Sequence, residues 1–193
     1  MHRRPSVRAR ARGLTAALLL SAAGFAPSAY GDARKEAPRL PAPVAQAYPD
    51  LAPLGAGTMR WFGFHVYDAR LWAIGLAPRD DAPYVLALRY ARDFEGARIA
   101  QSSIEEIERL GRGTPAERAR WLAEMRRVFP DVRAGAELAG LHVPGRGARF
   151  FHDGRLIGTI DDPEFARAFF AIWLDPRTRA PELRAALVGG DRQ

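Results

Sequence analysis

The sequence has no cysteine, so disulfide staples, thiolate nucleophiles and thiolate metal sites are all excluded. Histidine is scarce as well. His2 lies in the amino-terminal segment, and His65, His142 and His152 are scattered, with no pair at the three- or four-residue helical spacing that a zinc site uses. Residues 1–31 contain no acid. They hold five arginines (Arg3, Arg4, Arg8, Arg10 and Arg12), so five of the seven net positive charges sit there and the remainder is only weakly basic. A mixed-charge surface of that kind offers no electrostatic footprint for nucleic acid. Long apolar runs are also lacking. The single run, Gly13–Phe25, is too short to span a bilayer as a mature helix.

The arginines, that short run and the small-x-small sequence Ala29-Tyr30-Gly31 together form a signal-peptide pattern over residues 1–31. The expectation is a protein secreted across the inner membrane into the periplasm, with no stable membrane insertion once the signal is removed. Arg3-Arg4 leaves a twin-arginine route open beside ordinary secretion, and an uncleaved anchor is the alternative. Residues 32–50 carry Pro38, Pro41, Pro43 and Pro49 and are expected to form an extended leader without helix. One domain follows over residues 51–193.

Within it, Met59–Phe64 and Phe64–Ile74 read as strands, with Gly63 as the turn or bulge between them. The second strand carries apolar residues on both faces and is expected to be covered on both. Tyr84–Tyr90 reads as a third strand, with Tyr84, Leu86, Leu88 and Tyr90 on one side. The period then changes. Ile99, Ser103, Ile107 and Leu110 share one helical face before a Gly111 cap, and Thr114-Pro115-Ala116-Glu117 opens a second helix as a capping box with buried stripe Trp121, Met125 and Val128. Strand character returns over Leu138–Val143, Ala148–His152 and Leu156–Ile160, with Asp153-Gly154 as a two-residue hairpin turn. Asp162-Pro163-Glu164 starts a helix faced by Phe165, Phe169, Ile172 and Trp173, and Pro181–Val188 closes the chain. Three strands, two helices, three strands and two helices define an α+β fold, an antiparallel sheet with helices packed on one face.

No familiar catalytic motif is present. No serine sits in a glycine-flanked strand-to-helix turn, and Gly55-x-Gly57 lacks the third glycine and the helix of a dinucleotide site, so no cofactor is called for. Asp161 and Asp162 are explained as helix caps, and Ser102-Ser103 either cap the first helix or face a ligand. Arg60 stands apart, set among glycines and aromatic residues in Leu54–Gly75. Its planar fork suits an anionic oxygen, and the alternative is a strand-end arginine that reaches solvent or pairs with Asp68.

The segments GAGTMRWFGFHVYDARLWAIG, IAQSSIEEIERLG and PGRGARFFHDGRLIGTIDDPEFARAFFAIWLDPRTRAPELRAAL resemble the bacterial secreted branch of the chalcone isomerase-like superfamily, in order and over nearly the whole of residues 51–187. The resemblance implies an open-faced β-sandwich. It also implies an arginine after the first glycine-rich strand, here Arg60, holding a phenolate in chalcone-cyclising members and a carboxylate in fatty-acid-binding ones. The other catalytic positions of the enzymes fall on Tyr67, on Ser102 and Ser103, and on Ile172, and they do not reproduce the hydroxyl set that cyclisation needs. The implied function is binding of a small apolar, fatty-acid-like carboxylic acid between the sheet and the Phe169–Trp173 helix, gripped by Arg60 and hydrogen-bonded by Tyr67. The alternatives are an isomerase or intramolecular lyase acting on a phenolic or enone substrate, and a scaffold that binds nothing.

Overall fold

The computed structural model describes residues 37–189. Six strands form one sheet: β1 (Ala52–Trp61), β2 (Phe64–Ala73), β3 (Tyr84–Tyr90), β4 (Glu137–Val143), β5 (Gly147–His152) and β6 (Arg155–Ile160). Each pairs antiparallel with the next, so spatial order follows chain order. Five helices accompany the sheet: α1 (Ala42–Ala47), α2 (Gly96–Arg109), α3 (Pro115–Val128), α4 (Pro163–Leu174) and α5 (Pro181–Gly189). The signal-peptide reading lies outside the described residues. Among those described, no helix is long and apolar enough to cross a membrane.

Strand alternation divides the core in two. Leu71, Tyr84, Leu86, Leu88 and Phe150 face the layer formed by α2 to α5, whereas Trp72, Val85, Ala87, Leu141 and Phe151 form a second cluster on the opposite face. β2 and β3 are therefore covered on both sides, as their apolar residues on both faces require.

What covers the second face corrects the leader. Instead of staying extended, it forms α1, whose Val44 is buried against Trp72 and Val85. The prolines permit this because of where they fall. Pro41 is the N-cap and Pro43 lies in the first turn, where a helix has no use for their missing N–H, and Pro49 follows the last turn. The Arg39 backbone N–H donates to Glu137 Oε2 at 3.0 Å and ties the leader to β4. Glu137 is buried beside Arg89, and that burial raises its carboxyl pKa above the ordinary value.

The helix signals hold in detail. Thr114 and Glu117 exchange both bonds of a capping box, and Asp162 accepts from the backbone N–H groups of Glu164 and Phe165. The same Asp162 accepts from Trp121 Nε1 at 2.8 Å, so one carboxylate caps α4 and fixes the central side chain of α3. Asp153-Gly154 turns with positive φ at both residues, 48° and 77°. β1 begins at Ala52, seven residues earlier than the aromatic pattern suggests. Glycines and alanines dominate that extension because α5 lies against it: a Cβ on Gly55 would stand 2.2 Å from the Ala186 carbonyl oxygen and 2.4 Å from that of Leu187.

Gly55→Ala is therefore expected to destabilise the fold by about 1–3 kcal/mol, since the obstacle is backbone and cannot rotate away. Urea unfolding of the two proteins measures this, with no change expected in the m-value.

Candidate functional site

Beyond Gly57 the helical layer draws away from β1 and leaves a cavity of about 740 Å³ between sheet and helices. That size is ordinary for a small-molecule site. The walls come from β1 and β2 (Met59, Trp61, Phe64, Val66 and Tyr67), from β3 (Leu86, Leu88 and Tyr90), from α2 (Ile99, Ser102 and Ser103) and from α4 (Phe169, Ile172 and Trp173). Phe129 and Phe150 close the far side, meeting edge to face with centroids 5.0 Å apart.

One extra residue shapes the near wall. Met59 pairs with Tyr67 and Arg60 pairs with His65, so Val66 has no partner on β1. This bulge lets Val66 and Tyr67 both contribute to the cavity, although neighbours on a regular strand point to opposite faces.

Polar groups inside are few. Trp173 Nε1 donates to the Tyr67 hydroxyl oxygen at 2.9 Å, which leaves the Tyr67 proton to be donated elsewhere. The rings of Tyr67 and Tyr90 meet edge to face at 5.9 Å. Burial pushes the Tyr67 pKa up to about 12 and raises that of Tyr90 as well. Both phenols therefore stay neutral and act as donors rather than bases. Ser103 Oγ donates to the Ile99 carbonyl at 2.8 Å and so spends its proton within α2. Three arginines stand on the cavity wall. Arg179 pairs with Glu106 at 3.0 Å, Arg92 lies over the Phe64 ring at 4.9 Å, and Arg98 forms no ion pair among the described residues. Asp93, Glu95, Glu105 and Glu106 share that rim, and Asp93 is engaged by Arg133.

Residues 39–189 match the family described as chalcone isomerase-like. The chain belongs to the chalcone isomerase-like family. Among its relatives is a protein of Haemophilus influenzae, itself described only as uncharacterized, which is 32% identical over 138 residues spanning 71% of this chain and 67% of that one. A solved neighbour is the fatty-acid binding protein of Arabidopsis thaliana. It superposes with a TM-score of 0.59 at 12% identity, covering 72% of this chain and 87% of its own. At that identity the likeness establishes the fold.

Against this chalcone isomerase-like frame the expected site residues separate into two groups. Tyr67, Ser102, Ser103, Phe169 and Ile172 all line the cavity. The serines do so from within α2 and not as caps, since Glu95 is the N-cap. Arg60 does not line it. The side chain is exposed on the face of β1 opposite to Met59 and Trp61, so the expectation of an arginine at the base of the cleft is corrected. Asp68 is not its partner either: one oxygen, Oδ1, accepts from Thr58 Oγ1 at 2.6 Å and lies 3.1 Å from His65 Nε2. Strand alternation carried this answer, because Thr58 and Arg60 alternate with Gly57, Met59 and Trp61. The arginines at the cavity, Arg92, Arg98 and Arg179, went unnoticed, and so did the Trp173 indole as a partner for Tyr67. No short-range pattern marks them.

Tyr67 sets an alkaline limit. Below pH 10 folded and unfolded chains both hold its proton, and this contribution to stability is complete. From there to about 12 the unfolded chain releases the proton first, so stability falls as pH rises. Tyr67→Phe should make that decline shallower in urea titrations at successive pH values. At neutral pH the same change is expected to cost about 1–3 kcal/mol, because the Trp173 N–H is left without an acceptor.

Proposed function

We propose that this chain is a binding protein for a small apolar acid, with the apolar tail of the ligand between sheet and helices and its carboxylate at the mouth. The observation that carries this reading is the cavity itself: aromatic and aliphatic walls, about 740 Å³, and few polar groups inside. A carboxylate deep within such a space would go without a cation, at a desolvation cost of several kcal/mol. The only cations on the wall among the described residues belong to Arg92, Arg98 and Arg179, and Arg179 is already committed to Glu106. Arg98 and Arg92 therefore take the part first assigned to Arg60. Tyr67 and Tyr90 offer neutral donors to a hydroxyl or carbonyl farther along the ligand. The Arabidopsis neighbour, a fatty-acid binding protein on the same fold, supports the ligand class.

The periplasm as the place of this activity is part of the same proposal, and the amino-terminal pattern supports it. Cell fractionation, with determination of the amino-terminal residue of the purified protein, checks it. The expected result is periplasmic recovery of a chain beginning near Asp32.

Native mass spectrometry of the protein purified from cells is expected to show a retained apolar acid. Val66→Trp, which extends a large side chain into the cavity from the bulge, should remove that mass while circular dichroism stays unchanged. Arg98→Ala should weaken a fatty acid about tenfold while leaving the matching fatty alcohol unaffected, as loss of one charge-assisted contact predicts. Unchanged ligand occupancy in Val66→Trp would overturn the cavity assignment.

A further inference from the structure

Among the described residues five large apolar side chains are exposed, and three of them fall within four consecutive positions: Trp61 (50%), Phe62 (87%) and Phe64 (58%). These residues form the tip of the β1–β2 hairpin. Phe62 and Gly63 make the turn with φ of 47° and 79°, a conformation that suits glycine or asparagine and is strained for a bulky residue. Phe62 contributes nothing to the core in return. Among the described residues its ring meets only that of Trp61, edge to face at 5.2 Å. A sequence selected for folding alone has better choices here, so the exposed ring points to something outside the molecule.

Cations flank the tip. Arg60 precedes it, exposed and turned away from the cavity, and Arg92 reaches over the Phe64 ring at 4.9 Å. Arg98 stands on the same rim. Of the nearest acids, Asp93 is paired with Arg133, whereas Asp68, which accepts from Thr58 and lies beside His65, keeps its charge on the Arg60 face; the cations next to the rings are Arg60, adjacent to Trp61, and Arg92, over Phe64. Glu95 and Glu105 are the remaining acids on the rim, since Glu106 is held by Arg109 and Arg179. Aromatic residues interleaved with arginine are the composition that settles at a bilayer interface, the rings among headgroups and acyl chains and the guanidinium groups on lipid phosphates.

We propose that the Trp61–Phe64 tip docks on the surface of an anionic lipid bilayer, with Phe62 inserted and Arg60 and Arg92 on lipid phosphates. The tip adjoins the cavity, since Trp61 and Phe64 line it as well as standing exposed. Docking would therefore bring the mouth against the membrane, where an apolar acid can pass between bilayer and protein without crossing water. That service rests on the ligand reading above, whereas the docking does not. A second copy of the chain fits the tip less well. The three rings expose the equivalent of about two whole aromatic side chains, about 300–500 Å², short of the ~800 Å² per partner of a standard protein interface.

The test is sedimentation with vesicles of phosphatidylcholine, alone or mixed with phosphatidylglycerol, using wild type and variants that share the same amino terminus so that any contribution from it cancels. Phe62→Asn suits the turn and disturbs no core, so the fold is retained. It is expected to weaken binding to mixed vesicles about tenfold, as loss of one inserted ring implies. Arg60→Gln should weaken binding to mixed vesicles about fivefold and leave binding to pure phosphatidylcholine unchanged. Trp61 is the one half-exposed tryptophan among the described residues, so a blue shift of fluorescence on vesicle addition reports its burial. Val66→Trp should still bind vesicles, which separates failure of the ligand reading from failure of docking. Equal vesicle binding by Phe62→Asn and wild type overturns the proposal. So does a wild-type dimer that Phe62→Asn converts to monomer without altering vesicle binding.

Discussion

Strand alternation, interrupted at Val66 beside the cavity, is the constraint on which the site depends. In a regular pairing of β1 with β2, Val66 and Tyr67 would point to opposite faces. The unpaired residue at Val66 resets the register, so that Tyr67, Ala69 and Leu71 serve the helical face from odd positions while Phe64 and Val66 serve it from even ones. Two results follow from one inserted residue. Trp61 and Phe64 become a cross-strand pair on the cavity side, and Arg60 and His65 become a pair on the other. An aromatic rim and an outward arginine are thus consequences of the same backbone feature.

The architecture was legible because its signals are local. The capping box at Thr114, the N-cap at Asp162 and the Asp153-Gly154 turn each satisfy backbone groups within a few residues, and each forms as expected. The alternation of Tyr84, Leu86, Leu88 and Tyr90 likewise fixed the inner face of β3. The leader was misread for a related reason. The effect of proline on a helix depends on position, and here the prolines occupy the cap, the first turn and the residue after the last turn.

The site was legible only in part. Tyr67, Ser102, Ser103, Phe169 and Ile172 belong to elements whose inner faces the pattern reveals, and all of them reach the cavity. Arg60 was chosen for its chemistry and its neighbours, and the parity of β1 sends it outward. The bond between Trp173 and Tyr67 spans 106 residues, and no periodicity within either element announces it. The same holds for Arg179, which reaches the cavity wall from the segment before α5 through its pair with Glu106 of α2.

The helical layer lies tight on the sheet at one end and stands off it across the cavity at the other. At the closed end, α5 lies backbone to backbone on Gly55, and Asp162 locks α3 to the start of α4. At the open end, α4 ends in Ile172 and Trp173, and the Trp173 indole is fixed to Tyr67 across the cavity wall instead of packing down onto β1. That bond stands in for side-chain volume. It spaces helix and sheet with a polar contact whose energy is modest but whose geometry is strict. Apolar side chains in place of both partners, free of the hydrogen-bond geometry, would pack down on one another and close the space. The polar contact therefore favours a held-open gap over maximal packing, which fits a wall built to receive an apolar guest more closely than one built for stability alone.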